Sequence, residues 1–208
     1  MTATLPVRLS NATYRSREHL TPDEVNRLID CAGSVGRHPE RDRALVLLMF
    51  RHGLRVGEAF SLRWDAIVLE NGTITIQRLK QRAKTLRFST HRLQSDEVEM
   101  LKVLQERYPE SRFVFPNERG GPLSHDAISR IVRRAGERAE IPLPVHPHML
   151  RHSCGYYLAE QGLPTRDIQE YLGHKSITDT VRYTAANPAR FDRISWKQLI
   201  AEAESKFF

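Results

Sequence analysis

Between Ala66 and Ile76 the chain reads Ala-Ile-Val-Leu, then Glu-Asn-Gly, then Thr-Ile-Thr-Ile, and this passage constrains the fold more than any other. Asn71-Gly72 supplies two residues that tolerate positive φ, which a tight hairpin turn demands. The flanking stretches are aliphatic and β-branched, so they read as two paired strands. A third strand is expected over 86–91, which leaves Lys80, Gln81, Arg82, Ala83 and Lys84 at an exposed basic hairpin tip.

Everywhere else the signals are helical. Thr21-Pro22-Asp23-Glu24 combines an N-cap, a proline in the first turn and a glutamate three residues after the cap. That helix should end near Gly33. A second is expected over 40–52, stopped by Gly53, and a short third over 56–62. Ser95 is expected to cap a helix over 96–107 and Ser124 one over 125–140. Pro147 opens a helix to 161, another spans 164–171 before Gly173, and a last one spans 195–207. The expected fold is therefore mainly α with a small antiparallel β-sheet, an α+β domain. Residues 1–18 read as a short arm and residues 19–208 as one domain.

Composition narrows the function. The chain has 208 residues, of which 40% are apolar and 27% charged, an ordinary globular balance. At this length about 70% of the unfolded surface can be buried, so the core needs no disulfide or metal staples. Two cysteines, Cys31 and Cys154, are too few for a disulfide framework and suggest a reducing compartment. No apolar run approaches the roughly 20 residues of a membrane helix. A cytoplasmic location is expected, with no membrane partner. Lys and Arg number 32 against 25 Asp and Glu, a net charge of +7. The basic residues are spread along the chain, which favours a folded surface that tracks phosphates over a basic tail.

Four separated segments carry the chemistry: Gly53-Leu54-Arg55-Val56-Gly57-Glu58, the hairpin with Lys80, His148-Met149-Leu150-Arg151-His152, and Leu172-Gly173-His174 followed by Tyr183. His148 and Arg151 are three residues apart on a helix and share a face. Two planar guanidiniums suit the oxygens of a phosphodiester. Lysine and histidine move protons, and tyrosine is a competent nucleophile. Residue types and spacing alone do not bring these segments together. His146, His148, His152 and Cys154 lack a standard zinc spacing, and no P-loop is present, so neither metal nor cofactor is expected.

The same four segments, in this order, resemble the catalytic domain of the tyrosine recombinase (phage integrase) family. The matching motifs are GLRVGE at 53–58, HMLRH at 148–152, LGH at 172–174 and Tyr183. Arg78-Leu79-Lys80, the run from His146 to Gly155 and Tyr183-Thr184-Ala185 make the resemblance closest to fimbrial phase-variation recombinases. It implies that Tyr183 attacks the scissile phosphate, that Arg55 and Arg151 neutralise the transition state, and that Lys80 protonates the leaving 5′-oxygen. It further implies that His148 assists proton transfer at the tyrosine and that His174 hydrogen-bonds the phosphate. Glu58 becomes a supporting acid and His152 a structural residue packed behind the site. Lys84 is the rival to Lys80.

DNA contacts are expected from Arg63, Arg78, Arg82, Lys84, Arg130, Arg133 and Arg134. The implied partner is double-stranded DNA with paired recombination sites, bound by a tetramer, with accessory DNA-bending proteins. Most family members carry an N-terminal DNA-clamping domain, which is not evident in the residues before His19. Three other readings share these residues: integration or excision of a mobile element, a type IB topoisomerase, and a DNA-binding regulator with an unused active site.

Overall fold

A computed structural model describes residues 17–34, 36–78, 87–185, 187 and 191. Lys80, Arg82 and Lys84, most of the N-terminal arm and the helix expected over 195–207 lie outside the described residues. The fold is mostly helical with one three-stranded antiparallel sheet, as the sequence predicts. The chain divides into two compact units, Met1–Cys154 and Gly155–Phe208.

The first unit is built on α2 (Pro39–Arg51), whose Ala44–Met49 stretch is buried on every side. A helix that is apolar all round belongs at the centre of a core. Against it lies α1 (Pro22–Ser34), which buries Val25, Leu28, Ile29 and Ala32. The predicted capping box of α1 forms: Glu24 N–H donates to Thr21 Oγ1 (3.3 Å) and Thr21 N–H to Glu24 Oε2 (2.8 Å). Gly53 ends α2 with φ 57°. Gly53 N–H donates to Phe50 O and Leu54 N–H to Met49 O, the paired bonds of a Schellman turn. That turn releases the chain directly into α3 (Val56–Phe60).

The sheet runs β1 (Ile67–Val68), β2 (Thr73–Arg78), β3 (Arg87–Arg92), with Ile67 opposite Ile74 and Arg78 opposite Arg87. Alternation sends Ile74, Ile76 and Arg78 of β2 inward. A helix α4 (Ser95–Arg107) follows, and here one expectation is corrected. Gln94, not Ser95, is the N-cap: its N–H donates to Glu97 Oε2 (2.8 Å), and Ser95 is already helical. The α5 helix (His125–Arg138) is capped by Ser124, whose Oγ accepts from Ala127 N–H (3.1 Å). It packs against α1 and α3. The α6 helix (Pro147–Glu160) supplies residues to both units. In the first, Ser153 Oγ accepts from Leu20 N–H (2.8 Å) and donates to Met149 O.

The second unit contains α7 (Thr165–Leu172), packed on α8 (Thr178–Ala185). Gly173 ends α7 in the left-handed region, φ 64°. The α8 helix was not anticipated from the sequence. It is short, and its apolar positions are interrupted by Thr180 and Tyr183, which are buried all the same. No helix among the described residues is long and apolar enough to cross a membrane.

Candidate active site

Glu58 organises the candidate residues of the first unit. It is buried, 2% exposed. Because Arg55 is the N-cap of α3, Glu58 is its third residue and folds back to accept from Arg55 N–H (Oε2, 2.9 Å). The same carboxylate accepts from Arg55 Nη1 through Oε1 (2.7 Å) and from Arg78 Nη1 through Oε2 (3.0 Å). Arg151 Nη1 stands 4.0 Å from Oε2 and donates to the carbonyl of Gly53. One carboxylate thus gathers three guanidiniums. Burial alone would raise its pKa; the Arg78 charge, the Arg55 N–H, and the charges of Arg55 and Arg151 outweigh this and hold it below the ordinary carboxylate range.

The glycine turn explains the placement. Gly53 both redirects the chain so that Arg55 starts α3 and presents the carbonyl that receives Arg151 from α6. Arg151 is 1% exposed, while a third of the Arg55 side chain reaches solvent. Arg151 is thereby oriented from behind, and Arg55 is the more accessible of the two.

His148 lies one turn before Arg151, exposed at the surface of α6. The groups packed round it remove enough water, and Arg151, His146 and Arg55 add enough positive charge, to push its imidazole below the ordinary histidine value. It is therefore neutral at neutral pH and able to accept a proton. His152 is buried, and its ring meets that of His148 edge-on at 4.5 Å. Cys154 is buried and donates to Arg51 O; burial pushes its thiol up to about 12, so it stays protonated and unreactive.

In the second unit Tyr183 sits on α8 with 1% of its surface exposed. Its ring stacks on that of His174 (6.1 Å between centroids) and meets Tyr156 edge-on (5.1 Å). Gly155 makes room for it: a Cβ there would lie 2.5 Å from Tyr183 Cε2. His174 follows the α7 glycine, its N–H donating to Gln169 O (3.0 Å), and its Nδ1 bonds Thr180 Oγ1 (2.8 Å). Thr165 and Thr184 hydroxyls tie α7 to α8 (2.8 Å).

The expected DNA contacts divide. Arg63, Arg130, Arg133 and Arg134 are exposed, with Arg63 paired to Asp65 (2.8 Å) and Arg133 to Glu137 (3.4 Å). Arg78 does not belong with them. It is 3% exposed, on the inner face of β2, and its guanidinium donates to Glu58, to Ser89 Oγ (3.2 Å) and to His52 O (3.4 Å). An arginine so enclosed is not placed to meet DNA. Period-two alternation after Ile74 and Ile76 was the signal that could have found it. Among the described residues no group of three or more His, Cys, Asp or Glu side chains could hold a metal ion.

The architecture is that of tyrosine recombinase catalytic domains. It aligns with the crystal structure of XerA recombinase at a TM-score of 0.72 and 26% identity, covering 86% of this chain and 66% of that one. It aligns with XerH site-specific recombinase in a pre-cleavage complex with its difH substrate at 0.68 and 27% identity, covering 81% and 50%. Among relatives, the type 1 fimbriae regulatory protein FimB of Escherichia coli K12 is 42% identical over 187 residues, 88% of this chain and 91% of FimB. FimE of the same strain is 42% identical, covering 84% of this chain and 89% of FimE. The tyrosine recombinase XerD of Bifidobacterium longum is 38% identical over 81% of this chain and 58% of its own length. The phage integrase family model matches residues 18–190, and the chain belongs to that family, the tyrosine-type site-specific recombinases that cleave and rejoin DNA.

Proposed function

We propose that this recombinase inverts a DNA segment flanked by paired sites, in the manner of a phase-variation switch, and that Tyr183 is its nucleophile. The observation that carries the catalytic reading is the Glu58 carboxylate holding Arg55 and Arg151 together. The inversion reading is supported by 42% identity, over most of both chains, to two regulators of type 1 fimbriae.

The chemistry runs as follows. The Tyr183 hydroxyl oxygen forms a bond to the scissile phosphorus as the bond to the 5′-oxygen breaks. The tyrosine proton passes to His148, and the departing 5′-oxygen takes a proton from Lys80, leaving a 5′-hydroxyl and a 3′-phosphotyrosine. Arg55, Arg151 and His174 stabilise the charge that builds on the non-bridging oxygens, the kind of preorganised electrostatics that dominates catalysis. The phosphotyrosine conserves the bond energy, so attack by a 5′-hydroxyl reverses the step without nucleotide hydrolysis. Exposed Arg63, Arg130, Arg133 and Arg134 contact the duplex, and Arg82 and Lys84 add further phosphate contacts. The working form is a tetramer on two sites, aided by DNA-bending proteins and located with the chromosome in the cytoplasm.

Long-read sequencing of the source genome tests this, comparing cells with the intact protein and cells with Tyr183→Phe. Both orientations of one segment in the first and one frozen orientation in the second are expected. Gain or loss of a segment would replace inversion by integration and excision, which the 38% identity to XerD also accommodates. No difference between the strains would overturn the catalytic reading.

A further inference from the structure

Behind the site lies a buried run of polar side chains that the strand-cleavage scheme does not use. Arg78 Nη2 stands 3.3 Å from His91 Nε2, His91 Nδ1 stands 3.1 Å from His52 Nδ1, and His52 Nε2 stands 3.2 Å from Glu97 Oε1. None of the four residues is more than 5% exposed. The arginine end fixes the direction of the run. Arginine only donates, so His91 Nε2 must present its lone pair. His91 then carries its proton on Nδ1 and donates to His52 Nδ1. His52 in turn carries its proton on Nε2, which approaches Glu97 Oε1 at ion-pair distance without hydrogen-bond alignment. Of the four tautomer combinations open to two neutral imidazoles, one satisfies both the Arg78–His91 and the His91–His52 hydrogen bonds.

We propose that this polarised chain makes Arg78 a positioning residue for cleavage, with His91, His52 and Glu97 holding it in place. The inference rests on the reading of Arg55 and Arg151 as the phosphate clamp. Arg78 is enclosed on the inner face of β2, and it shares Oε2 of Glu58 with the Arg55 N–H. If Arg78 swings, that oxygen loses a partner, the carboxylate turns, and both clamp arginines lose their reference point. The far end is equally well anchored. Glu97 caps α4 through the Gln94 N–H and lies 3.5 Å from Arg51 Nη1, which also pairs with Asp96 (2.7 Å). The chain therefore braces Glu58 against the first turn of α4. An added proton breaks it at either ring: on His91 Nε2 it would face Arg78, and on His52 Nδ1 it would face the His91 N–H. Among the described residues, charged groups that pair with members of the run include Arg51 on α2 beside Glu97 and Glu58 on α3 beside Arg78.

The test has two arms on the full-length chain. In the first, ¹⁵N-histidine spectra of the DNA-free protein at neutral pH, assigned by single substitutions, report each ring's tautomer. His91 as the Nδ1–H form and His52 as the Nε2–H form are expected; either ring in the opposite form overturns the chain. The second arm measures single-turnover cleavage of prebound DNA carrying the mapped site. His91→Leu should slow cleavage about tenfold or more, the size of effect that lost supporting contacts produce elsewhere, with DNA affinity unchanged. His91→Gln places one acceptor and one donor on a single planar group and should recover most of the rate. Cleavage by His91→Leu at the parent rate, or no recovery with Gln, overturns the positioning role. Arg55→Ala run alongside separates the two ideas: if it cleaves normally the clamp reading fails, while the tautomer result stands by itself.

Discussion

At the scale of single residues, Glu58 is the point on which the candidate site turns. Glu58→Gln keeps the shape but removes the charge that balances Arg78. Breaking one partner of a buried ion pair costs about 3–5 kcal/mol, so a lower thermal midpoint is expected together with slower cleavage. The pH dependence has a definite sign. The folded carboxylate titrates below its unfolded value, so its stabilisation is complete above the unfolded glutamate pKa of about 4.3 and drains away as pH falls through the lower folded value. Urea titrations from pH 6 to pH 3 should show a smaller drop in Glu58→Gln than in the parent, Glu24 and Asp96 supplying part of what remains. His148 titrates in the opposite sense for function. Its lowered pKa keeps it a neutral base, so the acid limb of the cleavage profile should fall below about pH 6.5 and vanish in His148→Gln. Arg55 was legible as the residue that opens a short helix after a glycine and Arg151 as sharing a helix face with His148, whereas Glu58 entered through the resemblance of GLRVGE to the family motif. Arg78 was misplaced because its charge was weighed ahead of its position in the strand.

At the scale of elements, two glycine turns aim the candidate side chains. Gly53 precedes Arg55 and Gly173 precedes His174, both in the left-handed region. Gly53→Ala is expected to cost about 1–2 kcal/mol and to reduce cleavage beyond what the stability loss explains, because the same residue's carbonyl holds Arg151. Parallel calorimetry and cleavage assays check this. Gly155 matters for a different reason, contact instead of dihedral strain. Gly155→Ala drives a methyl into the Tyr183 ring, and overpacking of this kind costs about 1–3 kcal/mol. A shifted Tyr183 ring signal in NMR spectra is the expected mark. The helices around these turns were readable from caps and periodicity. The α8 helix was not, since a two-turn helix gains its stability from packing such as the Thr165–Thr184 bond, which only the folded chain supplies.

At the scale of the whole molecule, the excess of basic residues sets how DNA binding responds to salt. Arg130, Arg133 and Arg134 lie exposed along α5. If each contacts one phosphate, each change to glutamine should reduce the slope of log affinity against log salt by about 0.9. Filter binding between 50 and 200 mM salt measures it. An unchanged slope in all three would move the duplex to another face.

The gathering of Arg55, Arg78 and Arg151 on one carboxylate concentrates positive charge in a largely buried place. Arg55, a third of whose side chain reaches solvent, is placed to meet an anion there. Sulfate or vanadate should therefore raise the unfolding temperature more than chloride at equal ionic strength, by a margin that Arg55→Ala abolishes. General salting-out by sulfate acts on both proteins alike and cancels in that comparison. Heat stability would then serve as a gauge of how well any oxyanion imitates the phosphate under attack.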